Sequence, residues 1–65
     1  MTREQAEKDL LLMKRSAPYR EWFAVEVAPG DWLFVDSLKK VRLSVRRYCL
    51  NGAPVMVLKG VNHAE

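Results

Sequence analysis

Sixty-five residues make one domain and leave no room for a second; such a chain buries only about 60% of the surface its unfolded form exposes. The apolar fraction of 49% and charged fraction of 29% exclude a disordered polar chain, and no apolar run approaches the roughly 18 residues of a membrane span. A net charge of +3 falls well short of a dedicated nucleic-acid packager, but it is unevenly placed.

Thr2-Arg3-Glu4-Gln5 fits a capping box, with a hydroxyl at the N-cap and Gln three residues on. Glu4 and Glu7 suit the positive start of a helix, and Lys14 and Arg15 its negative end. The early acids and short apolar cluster do not read as a secretory signal. Ala6, Leu10, Met13 and Ala17 share one helical face. Pro18 disfavours helical geometry at Ala17, so the helix stops by about Ser16. Leu11 and Leu12 fall off the inward face, which makes them candidates for contact with another chain.

Tyr19 to Val27 is rich in aromatic and β-branched residues and reads as a strand. Pro29-Gly30 is a type II turn signal, since Gly accepts positive φ at the second central position. Trp32 to Val35 is the return strand. A turn centred on Pro29-Gly30 pairs Val27 with Trp32 and Val25 with Phe34. Phe23, Val25, Val27, Trp32 and Phe34 then share the core face. Trp22, Ala24, Glu26, Leu33 and Val35 form the opposite, half-exposed face. A Trp beside aliphatics suits a protein contact, so Trp22, Leu33 and Val35 are candidates for one; the alternative places Trp22 beneath the first helix.

Asp36 and Ser37 are good N-caps. At 100° per residue, Leu38, Val41, Val45, Tyr48 and Cys49 gather inward. Lys39, Lys40, Arg42, Arg46 and Arg47 spread over the other side. Asn51-Gly52 suits the helix end. A strand is the rival, because Val41, Leu43 and Val45 alternate with polar residues and Asn-Gly is also a hairpin turn. The helix is favoured because the alternation breaks at Arg46-Arg47, and a hairpin would set these arginines opposite Val57 and Met56. Pro54 opens the last element. The unbroken run Val55-Met56-Val57-Leu58 suggests a strand covered on both faces. Lys59-Gly60 ends it, and residues 61–65 form a tail. The expected fold is a single α+β domain over residues 1–65, in the order α-β-β-α-β. A hairpin gains a third strand, and two helices pack on the sheet.

The residues do not assemble an active site. His63 lies in the tail, where it is not easily held against a nucleophile. No His, Cys, Asp and Glu set has metal-ligand spacing, and the three glycines stand singly at turns rather than in a phosphate-cradling loop. The expectation is therefore no catalytic residue, no metal, no cofactor and no small-molecule substrate. Cys49 is a small core hydrophobe on this reading. One cysteine cannot form an intrachain disulfide, which points to a reducing, cytoplasmic compartment.

The functional signal is charge. Five of the eleven basic residues lie between Leu38 and Gly52 with no acid among them, and the remaining six are outnumbered by eight acids, a net of −2. Lys39, Arg42 and Arg46 run along one side at i, i+3, i+7, beside Lys40 and Arg47. Such a row can track phosphates, and arginine can reach base edges. The expected partner is nucleic acid or a nucleoprotein complex, and no membrane. The alternative is a protein-binding inhibitor or adaptor, for example of a host defence complex, acting through Trp22, Leu33 and Val35 or through Leu11 and Leu12, as a monomer or homodimer. Small size, one domain and no active site are traits shared with accessory proteins of phages and mobile elements.

Overall fold

The structure is a computed structural model that describes residues 1–61. The chain runs through α1 (Arg3–Ser16), β1 (Phe23–Ala28), β2 (Asp31–Val35), α2 (Leu38–Tyr48) and β3 (Met56–Lys59). This is the expected order α-β-β-α-β. The three strands form one antiparallel sheet with β1 in the centre, in the order β2-β1-β3. His63 and the rest of the expected tail beyond Val61 lie outside the described residues.

The α1 N-cap is as expected: the Thr2 hydroxyl accepts from the Gln5 N–H at 3.2 Å. The Gln5 side chain does not complete the box; its amide donates instead to Asp9 Oδ1 at 3.1 Å. Ala6, Leu10 and Lys14 are the buried positions of the helix. They stand four apart, so they form one row along its inner face. Lys14 extends the apolar row by laying its stem inward, and its ammonium donates to the Arg20 carbonyl. Arg20 belongs to the link between Ser16 and Phe23, which was expected to be strand from Tyr19 onward. Pro18 and the turn that follows it keep Tyr19–Trp22 out of the ladder.

The hairpin departs from the expected register. The turn itself is as read: Gly30 has φ +82° and Ala28 faces Asp31. An irregularity between Glu26 and Ala28 then sets Glu26 opposite Trp32, Val25 opposite Leu33, and Phe23 opposite Val35. Val27 is thus the extra residue of a bulge. The Glu26 carboxylate accepts from the Gly30 N–H at 2.8 Å, which ties the bulged segment to the turn. Because side chains alternate, a shift of one residue moves all of β2 to the other face. Leu33 and Val35 therefore share a face with Phe23 and Val25, and Trp32 and Phe34 share the opposite face with Ala24.

Each face takes one helix. Phe23, Val25 and Val41 form the buried cluster under α2, with Val27, Val35 and Val45 packed against it. The chain leaves β2 at one edge, passes over the centre as α2 and returns as β3 at the other edge. That crossover explains why α2 lies on β1 and β2. Ala24 points to the other side and is fully buried, covered by α1. Gly60 fixes the approach of α1: a Cβ there would stand 3.3 Å from Trp22 Cβ and 3.5 Å from Leu10 Cδ1.

Two further expectations are corrected. Leu38 and Tyr48 do not face inward; they are 47% and 55% exposed, because each stands at an end of α2. Nor is β3 covered on both faces. Its burial alternates, and Val57 is 41% exposed, since β3 is an edge strand and α2 lies over the other two.

Candidate nucleic-acid interface

The basic residues come together as read from the sequence. Ser37 caps α2, its hydroxyl accepting from the Lys40 N–H at 3.2 Å. Val41, Ser44 and Val45 turn toward the sheet, and the Ser44 hydroxyl is satisfied by the Lys40 carbonyl at 2.9 Å. Lys39, Lys40, Arg42, Arg46 and Arg47 are all exposed on the outer side. Leu43 lies among them, 50% exposed. At 100° per residue it falls between Lys39 and Arg46 on one side and Arg47 and Lys40 on the other. On the rival strand pattern Leu43 would lie on the apolar face with Val41 and Val45; on the helix it stands among the cations.

The five cations divide into two groups. Lys40 is held by Asp36, Nζ to Oδ1 at 2.7 Å, while Arg20 takes the other carboxylate oxygen at 2.9 Å. The hydrogen bond from Lys40, with the nearby charges of Lys40 and Arg20, keeps the Asp36 carboxyl below its ordinary range despite an opposing desolvation. Asp36 also places a negative charge ahead of a helix whose first turn carries cations and no acid, which offsets part of the unfavourable macrodipole contact. Lys39, Arg42, Arg46 and Arg47 form no ion pair among the described residues. Arg46 and Arg47 stand in the last turn, where the macrodipole favours them.

The protein-contact candidates do not form one surface. Trp22 is half-buried on the α1 side, with its indole N–H donating to the Ala17 carbonyl at 3.2 Å. This is the alternative reading, Trp22 at the first helix. Leu33 and Val35 are half-buried on the α2 side, and Val35 packs against the core. Leu11 is half-buried and Leu12 is 58% exposed. Cys49 is buried as a core residue. A groove of about 480 Å³ between α1 and β3 is lined by Leu10, Leu11 and Leu58, with Glu4, Glu7 and Lys8 at its rim.

Among the described residues, no helix is long and apolar enough to cross a membrane. No protein-family model matches this chain, and no curated protein or solved structure does.

Proposed function

We propose that this chain is a small non-enzymatic binding protein that engages nucleic acid, alone or within a nucleoprotein complex, through the outer side of α2. The observation that carries the reading is the exposed group Lys39, Arg42, Arg46 and Arg47, on one helix and without an acidic partner among the described residues. Ordinary surfaces intersperse the two signs of charge. Here one helix collects cations while the rest of the chain is net acidic. The arginine forks suit bidentate contacts to phosphate, and Lys39 supplies a flexible point charge. Lys40, already held by Asp36, contributes less than the unpaired four.

The test is fluorescence anisotropy with labelled duplex DNA, duplex RNA and single-stranded DNA over a salt series. Binding should weaken steeply as salt rises, because each neutralised phosphate releases counterions. Replacing Arg42 or Arg46 by Gln should flatten the plot of log K against log salt by about 0.9 for each duplex phosphate that is no longer neutralised. Absence of binding to all three probes at low salt removes direct nucleic-acid contact. The protein-binding alternative rests on Leu12, 58% exposed on the outer side of α1; a partner that is still captured after nuclease treatment but not by a Leu12→Glu protein would favour it.

A further inference from the structure

We propose that β3 pairs with β3 of a second copy of this chain, giving a two-fold dimer with a continuous six-stranded antiparallel sheet. The backbone carries this independently of the nucleic-acid reading. The Gly60 N–H donates to the Trp22 carbonyl at 2.8 Å, so Gly60 points toward β1. Alternation along β3 turns Leu58 the same way and turns Val57 and Lys59 outward. Among the described residues no strand pairs with that outer edge. Near the start of the other edge strand, β2, the Met1 ammonium donates to the carbonyl of the turn residue Gly30, and the Met1 carbonyl accepts from the Trp32 indole.

One register uses every outward group of β3. Val57 placed opposite Lys59 of the second copy forms a bonded pair, and the two-fold repeats it, so both residues of each copy satisfy their N–H and C=O. Leu58 then meets its own symmetry mate on the α1 side, where the two grooves adjoin. Charge selects this register as well. Lys59 is the single charged residue of β3, and here its stem lies over the exposed Val57 of the mate rather than against another Lys59. Edge strands that stay in solvent are blunted by shortness, lysine, proline or bulges; β3 is short and carries one lysine, but Val57 beside it on the same face is an exposed β-branched residue.

Antiparallel pairing places the two-fold axis normal to the sheet, so both α2 helices lie on the same face. With strands about 4.8 Å apart and α2 over β1 and β2, the helices stand roughly 20 Å apart. That separation exceeds the Debye length of about 8 Å at physiological salt, so the two cationic helices do not oppose association. The dimer presents both basic faces in one direction.

Sedimentation equilibrium of the protein without nucleic acid should give twice the 7.5 kDa chain mass. Val57→Pro removes an N–H that faces the mate and not β1, so it should give a folded monomer. Amide exchange of the unmodified protein supplies a readout that needs no variant: the Val57 and Lys59 N–H groups should be protected. A monomer at submillimolar concentration overturns the proposal, including one that gains a strand only from a different protein. So does rapid exchange at Val57 and Lys59, or a Val57→Pro protein that remains dimeric. Nucleic-acid binding is read in a separate assay, so failure of one proposal is distinguishable from failure of the other.

Discussion

Asp36 joins three parts of the chain through one carboxylate. Arg20 reaches it from the link after α1, it follows β2 directly, and Lys40 reaches it from α2. Lys14 fastens the same link from the other side through the Arg20 carbonyl. Because Asp36 is held ionised by Lys40 and Arg20, its folded pKa lies below the unfolded value of about 3.9. A depressed carboxylate stabilises the fold above its unfolded pKa, and that contribution disappears as pH falls through the folded value. Asp36→Asn should therefore lower the thermal midpoint at neutral pH. The difference from the unmodified protein should shrink as pH drops below about 4, which melting curves across pH 2 to 7 would show. A difference that persists unchanged in acid would assign the effect to missing hydrogen bonds rather than to charge.

At the scale of elements, α2 is held by its cap and its apolar stripe against its own charge. Arg42 and Arg46 are i, i+4 neighbours, and Lys39 and Arg42 are i, i+3 neighbours, all exposed. Like-charge pairs at these spacings each cost about 0.2–0.5 kcal/mol. Arg42 takes part in both, so Arg42→Gln should raise the melting temperature at low ionic strength. The gain should fade in high salt, where screening removes the repulsion. Thermal melts of the two proteins at low and high salt check this. The bulge at Val27 is the second feature at this scale. It places Leu33 and Val35 on the face of Phe23 and Val25, where Val35 joins the core cluster, and turns Trp32 and Phe34 to the opposite face.

For the whole molecule, the decisive quantity is the size of the core. Among the described residues, Val25 is the largest fully buried side chain, and the buried members of the α2-side cluster are Phe23, Val25 and Val41. A domain of this size has little stability in reserve. Val25→Ala removes two methyl groups from the centre of the sheet and should cost about 2 kcal/mol, with a further cavity contribution. Urea unfolding should show a lowered midpoint with an unchanged slope. Exposed apolar residues at Leu12, Leu43 and Val57 are what a thin core leaves behind. They stand on the outer side of α1, among the cations of α2 and at the free edge of β3.

The order of elements, the caps at Thr2 and Ser37, the positive φ at Gly30 and the cationic outer side of α2 were all legible in the sequence. Each of these is local: a hydroxyl before a helix, a Pro-Gly pair, a period of 3.6 residues. What depends on neighbours was settled by the fold. The strand register was not legible because Trp32-Leu33-Phe34-Val35 is apolar at every position, so either alternation satisfies the pattern. The exposure of Val57 was not legible because a continuous apolar run fits an edge strand or a central one, and only the crossover of α2 over β1 and β2 makes β3 the uncovered edge. Lys14 reads as a solvated helix end until the Arg20 carbonyl is brought over it. The candidate site was visible as charge, and the pairing of Lys40 with Asp36 is itself local, an i, i+4 contact; the second partner of that carboxylate required the fold, because Arg20 meets Asp36 only after the chain has turned through a hairpin.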